Sequence, residues 1–126
     1  MFYKIKSFTE IGVKVHLHCF AYGREKSAEL EKICESVTYY ERKKFYQAIY
    51  SSVPYIVGSR TSGELLATLA EDDYPVLFEG LHTCFYLSHP SLKNKKKVVR
   101  MHNVEWDYYK KLGTAERNYL IKFYYN

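Results

Sequence analysis

The stretch TSGELLATLAEDDYPVLFEG, residues 61–80, decides the fold. Its first half reads as a helix. Thr61 and Glu64 have capping-box spacing, and Leu65, Leu66 and Leu69 form an apolar stripe at helical spacing. Its second half, YPVLFEG, is a short continuous apolar strand that stops at Glu79-Gly80. A helix that passes at once into such a strand sets the rhythm to look for in both directions.

That rhythm recurs. Towards the N-terminus, residues 2–11 carry Phe2, Ile5 and Phe8 at three-residue spacing, which predicts a helix, with Gly12 as its stop. VKVHLHCF, residues 13–20, then reads as a strand. It has Val13, Val15, Leu17 and Cys19 on one face and His16, His18 and Phe20 on the other, so both faces are expected to be covered. Ser27 is placed to cap a helix running to about Cys34, with Glu29 in its first turn. SVTYY is a short strand, and KKFYQAIY is helical. In SVPYIVGSR, Pro54 allows at most a short edge or loop segment.

Towards the C-terminus, LHTCFYL begins a helix or turn that Pro90 limits. The Lys93–Lys97 run reads as a solvated turn. KVVRM is the last strand, and VEWDYYKKL and ERNYLIKFYY are helices separated by Gly113-Thr114. Strands alternating with helices argue for an α/β fold, a Rossmann-like parallel sheet with helices on both faces. Ligands of such sheets bind beyond the carboxyl ends of the strands. Three corners therefore matter: Tyr22-Gly23-Arg24, Glu79-Gly80-Leu81-His82 and His102-Asn103-Val104-Glu105.

Composition bounds the function. The chain has 126 residues, 47% of them apolar and 26% charged, with 14 tyrosines. This is the composition of one soluble domain with its own core. A net charge of +5 permits an acidic partner without choosing among phosphate, nucleic acid and an anionic membrane. Cys19, Cys34 and Cys84 are an odd count without zinc spacing, which points to reduced thiols and a cytoplasmic setting. No apolar run approaches the roughly 20 residues of a membrane span, and Lys4, Lys6 and Glu10 interrupt any signal-peptide core.

Together, IGVKVHLHCFAYGR, YPVLFEGLHT and VVRMHNVEWDYYKKL resemble the N-terminal domain of bacterial glycosyltransferases with the two-domain GT-B architecture. The likeness is to retaining enzymes that build cell-surface polysaccharides, and it spans residues 5–125. It implies that residues 1–126 are a single acceptor-side domain of a larger two-domain protein. The chain opens inside what reads as the first crossover helix and ends on the apolar helix LIKFYYN. The family's first strand, its glycine-rich loop and its C-terminal domain are therefore expected outside these residues. An E-x7-E spacing, a signature of that second domain, occurs here at Glu71 and Glu79. Pro75 lies between them and forbids one helix from presenting both.

The intact enzyme is expected to move a sugar from a nucleotide-sugar to a glycan or lipid-linked acceptor. The nucleotide-sugar is its donor substrate, and neither a cofactor nor a metal is expected. The fragment alone should not turn over.

His102 matches the family's strand-end histidine, which faces the sugar and the acceptor. An imidazole there can donate or accept a hydrogen bond at neutral pH, and the competing reading is a ring satisfied by nearby backbone. Asn103 reads first as a helix cap and second as a ligand contact. Glu105 lies in that helix's first turn, where negative charge is favoured in any case. Arg100 could pair with a carboxylate. Glu79 could bind an acceptor hydroxyl, act as a base, or cap the next helix. Gly80 allows a sharp turn or close approach to a ligand. His82 is a cleft candidate, and Arg24 could meet an anionic acceptor or simply be exposed.

His16 and His18 share a strand face, but no further ligand in that strand completes a metal site. Ser51, Ser52 and Cys84 lack a nucleophile-elbow context. The lysine run could also contact the anionic inner face of the cell membrane, each lysine contributing about 1 kcal/mol. The non-enzymatic alternative is a Rossmann-like or flavodoxin-like module that binds phosphate or nucleic acid. No RNA-binding aromatic signature or recognition helix supports nucleic acid.

Overall fold

A computed structural model describes residues 1–21, 23, 26–48 and 52–101. The order of elements is helix α1 (Phe2–Glu10), strand β1 (His16–Ala21), helix α2 (Ala28–Ile33), strand β2 (Ser36–Glu41), helices α3 (Phe45–Ala48), α4 (Tyr55–Gly58) and α5 (Gly63–Glu71), and strand β3 (Val76–Glu79). Two 3-10 helices (Leu81–Tyr86 and Pro90–Leu92) and strand β4 (Lys97–Arg100) follow. The two helices expected after residue 103 lie outside the described residues.

The alternation is mixed α/β, and its strands pair in parallel. β1 runs beside β2 with His16 opposite Ser36 and Phe20 opposite Tyr40. β3 runs beside β4 with Val76 opposite Lys97 and Glu79 opposite Arg100. The expected single sheet is instead two pairs, with no ladder joining them among the described residues.

Local chemistry explains most boundaries. α1 ends in a paired C-terminal motif: Gly12 N donates to Thr9 O, and Val13 N to Phe8 O. Gly12 supplies the positive φ of 87° this requires. Val13 and Lys14 are thereby held out of the strand, so β1 starts at His16 and not at residue 13. Ser27 caps α2 by accepting from Leu30 N.

In α5 the cap is Ser62, which accepts from Leu65 N, and not Thr61. The Thr61 hydroxyl is buried and donates back to Gly58 O at 2.9 Å. Pro54 does not make an edge strand. Its φ of −52° pre-sets the entry to α4. α4 ends at the fully buried Ser59, which accepts from Arg42 Nε at 2.9 Å and ties α4 to the exit of β2.

Both faces of the β1–β2 pair are covered, as its alternation requires. On the His18, Phe20 and Tyr40 face, Tyr40 forms the core with Leu65, Tyr86 and Leu92, and Phe20, Leu66 and Leu69 pack around it. The opposite face receives α2, because Ser27 N at its start donates to the Tyr39 hydroxyl, and α1 packs on α2.

The lysine run is only partly a solvated turn. Lys95 Nζ donates to Asp72 Oδ1 at 2.6 Å with its side chain 6% exposed, and Lys97 Nζ donates to Leu87 O.

Two tests follow from these contacts. Ser62→Ala should cost about 1 kcal/mol in urea unfolding. Glu64→Ala should cost a few tenths of that, since Glu64 adds only first-turn charge.

Burial holds the His18 imidazole below its ordinary value, helped by the charge of His16 and opposed by Asp72. Its ring shares a 2.9 Å hydrogen bond with the Tyr40 hydroxyl. The unfolded chain therefore takes up this proton first as pH falls. The stability that His18 contributes as a neutral ring is present above about pH 6.5 and is lost on acidification below it. Melting temperature should fall between pH 7 and pH 5, and His18→Gln should flatten that slope.

Candidate functional site

Of the three corners, only the one after β3 lies wholly within the described residues. Arg24, His102, Asn103 and Glu105 lie outside them. Gly23 is described, with a φ of 73°.

β3 ends at Glu79 and the backbone breaks at Gly80, at φ 93° and ψ 150°. That combination is essentially restricted to glycine. Gly80 closes the strand pair by donating its N–H to Arg100 O at 2.8 Å. Its carbonyl then starts the first 3-10 helix by accepting from Thr83 N and from the Thr83 hydroxyl. The N-cap position is therefore Gly80, and Glu79 lies one residue before it. His82 sits one residue into it and is half-buried.

Glu79 is engaged by two cations. Arg100, directly opposite on β4, donates to its Oε1 at 2.9 Å. Lys4, from the first turn of α1, donates to the same oxygen. The Glu79 side chain is 19% exposed, Lys4 24% and Arg100 50%. Three elements far apart in sequence thus meet at the carboxyl ends of β3 and β4, where the Glu79 carboxylate meets the cations of Lys4 and Arg100. Such a corner can receive hydroxyl or anionic groups through its cations. It presents Glu79 as a paired group and not as a lone base.

Sequence reasoning selected Glu79, Gly80 and His82, and it foresaw a carboxylate partner for Arg100. Lys4 was missed. It lies 75 positions from Glu79 in a helix whose pattern says nothing about its partner, so no local signal could have found it.

The two strand histidines have structural partners. His16 Nδ1 shares a 2.8 Å hydrogen bond with Ser36 Oγ, and its ring stacks on Tyr74 at 5.5 Å between centroids. His18 is bonded to Tyr40. The three cysteines are half-buried, and the Cys84 thiol donates to Gly80 O at 3.6 Å. Burial raises the Cys19 thiol, and neighbouring Cys34 adds to that. No described helix is long and apolar enough to cross a membrane.

Comparison with known proteins gives one informative likeness. An "Uncharacterized 44.6 kDa protein in cps region" of Klebsiella pneumoniae is 32% identical over 100 residues, covering 76% of this chain and 26% of that protein. The chain thus spans about a quarter of the length of the curated relative it matches. No protein-family model and no solved structure matches it.

The two cations should not be equivalent. Lys4→Met leaves a mostly buried carboxylate short of a donor and should cost about 1–2 kcal/mol. Arg100→Gln, at a half-exposed site, should cost less than about 1 kcal/mol. Gly80→Ala should cost about 1–3 kcal/mol, because alanine is strained at this φ and ψ. Urea unfolding of the three variants checks the order.

Proposed function

We propose that residues 1–126 belong to the acceptor-side, N-terminal half of a retaining glycosyltransferase with the two-domain GT-B architecture. That enzyme transfers a sugar from a nucleotide-sugar onto a glycan or lipid-linked acceptor. The observation that carries this reading is the likeness to a protein of the Klebsiella cps region, a capsule polysaccharide region. The mixed α/β order with parallel strand pairs supports it, because a corner at their carboxyl ends is where such folds bind ligands.

Glycosyl transfer builds positive charge on the sugar ring and negative charge on the departing phosphate. The enzyme must hold sugar hydroxyls, neutralise phosphate and orient the acceptor hydroxyl. In this reading the C-terminal domain neutralises the phosphate, and the N-terminal half supplies the acceptor wall. His102 contacts a sugar hydroxyl or supports the transition state. In this reading Asn103 and Glu105 add contacts to the acceptor or the transferred sugar. Gly80 and His82 line the neighbouring corner, where Lys4 and Arg100 hold Glu79 in place. Arg24 faces an anionic part of the acceptor. The enzyme works in the cytoplasm, where the exposed Lys93 and Lys96 remain available to an anionic membrane face.

The test is an activity screen of the full-length protein carrying this chain against a nucleotide-sugar panel, with transfer read by mass spectrometry. Transfer from at least one donor is expected, and His102→Ala should reduce it at least about 10-fold, the loss of one strong hydrogen bond. Absence of transfer from every donor would sink the reading. Unchanged activity in His102→Ala would remove that residue from the site.

A further inference from the structure

We propose that the ledge just past the carboxyl end of β2, residues 42–47 with Tyr55, is a binding surface for an acidic oligosaccharide. Sugar rings stack on Phe45 and Tyr46, and the carboxylates of the glycan meet Lys43 and Lys44. The inference deepens the reading above by naming the class of acceptor, and it rests on that reading for the choice of a glycan over other anions.

The ledge begins where β2 stops, at Glu41. β1 and β2 are parallel, so it lies at the end of the pair where such sheets receive ligands. It is a different corner from the one at Glu79, which closes β3.

Its backbone is fixed from below. Ser59 is fully buried. Its carbonyl accepts from Lys43 N at 2.9 Å, and its hydroxyl accepts from Arg42 Nε at 2.9 Å. The Arg42 guanidinium also lies 5.0 Å from the centre of the Tyr55 ring, and the Tyr55 hydroxyl donates to Lys43 O at 3.3 Å. Arg42 and Tyr55 are thus engaged in the scaffold and position what stands on it. The Phe45 ring lies 5.2 Å from Tyr55, tilted at 59°. Lys44 N donates to Gln47 Oε1 at 2.9 Å, which ties Gln47 to the start of α3. A surface held in this way loses little freedom on binding.

What the scaffold presents is aromatic. Phe45 is 55% exposed and Tyr46 64%. Singly exposed rings are ordinary, but neighbouring apolar groups rimmed by polar ones mark interaction surfaces. The face of an aromatic ring carries negative potential. The C–H face of a pyranose carries slight positive charge, so the two stack. Sugar hydroxyls then remain at the rim, within the chemistry of the Gln47 amide and the Glu41 carboxylate.

Charge selects the sugar. Residues 41–47 hold three cations, Arg42, Lys43 and Lys44, against one carboxylate, Glu41. Lys43 and Lys44 are exposed. A glycan bearing carboxylates complements that excess, and a neutral one does not. Nucleic acid and an anionic membrane would share the charge. The likeness to a protein of a capsule polysaccharide region favours the glycan.

The test is titration calorimetry of the full-length protein carrying this chain with a hexasaccharide of alternating glucuronate and N-acetylglucosamine. Binding is expected at low salt, at least about 5-fold tighter than to the hexasaccharide of N-acetylglucosamine alone. Tyr46→Ala should weaken it at least about 5-fold without lowering the melting temperature, because that ring is mostly exposed. Lys44→Gln should weaken it and reduce its salt dependence. No binding of the acidic hexasaccharide would overturn the proposal, as would equal affinity for the two sugars or unchanged binding in Tyr46→Ala. Tyr46-dependent binding of phosphatidylglycerol vesicles or single-stranded oligothymidylate, without binding of the hexasaccharide, would also overturn it and assign the ledge to a membrane or to nucleic acid. The two readings fail separately. Sugar transfer with hexasaccharide binding unchanged in Tyr46→Ala would sink the ledge alone. Tyr46-dependent hexasaccharide binding in a protein that transfers from no donor would uphold the ledge and sink only the transferase.

Discussion

Tyr40 is the residue on which the layers depend. Its ring is 3% exposed at the end of β2, 5.7 Å from Phe20 on the neighbouring strand and 5.8 Å from His18. A buried tyrosine contributes a large apolar area but needs a partner for its hydroxyl. Here the hydroxyl shares a bond with His18 Nδ1. Burial raises the Tyr40 phenol above its ordinary value, outweighing hydrogen bonds from Thr68 and Thr38. Because Leu65, Tyr86 and Leu92 close on the same ring, one packing event seats α5 and both 3-10 helices on the first strand pair. β3 and β4 follow α5 into place.

The second strand pair is clamped at its two ends by charge. At the amino end, Lys95 pairs with Asp72. Burial alone would raise the Asp72 carboxyl, but the Lys95 hydrogen bond, the Tyr74 N–H and the charges of Lys95 and His16 together hold it below its ordinary value. At the carboxyl end, Glu79 takes Arg100 and Lys4. The clamps differ in what they join. Asp72–Lys95 ties together the two turns that lead into β3 and β4. Glu79 ties β3 to a helix from the start of the chain. The second clamp therefore couples the candidate site to the docking of α1, and it builds the corner from residues that would otherwise have no reason to meet.

Much of the architecture was legible because it is local. The Gly12 stop, the Ser27 cap and the apolar run before Glu79-Gly80 depend on hydrogen bonds and φ angles within a few residues. The strand faces of residues 16–20 were legible because the period of two assigns them without a partner. Thr61 and Ser62 show where this stops. Both hydroxyls can cap α5, and the choice went to Ser62 because Thr61 is buried against Gly58. In the lysine run, composition suggests solvent, but Asp72 lies close enough to draw one of those lysines inside.

The candidate site divides in the same way. Glu79, Gly80 and His82 stood out by lying at the end of a strand, a property written in sequence order. The Lys4 contact did not, since it joins residues 75 positions apart and arises only when α1 crosses from α2 to the end of β3. By itself, then, the sequence determined the alternation of helices and strands, the Ser27 cap, the Gly12 stop and the glycine corner, because each rests on short-range backbone geometry. Tertiary structure alone decided that the described strands ladder as β1–β2 and β3–β4, that Tyr40 sits in the core, and that Glu79 meets Lys4 and Arg100. Those outcomes depend on which distant surfaces meet, and hydrophobic burial and charge pairing are indifferent to separation along the chain.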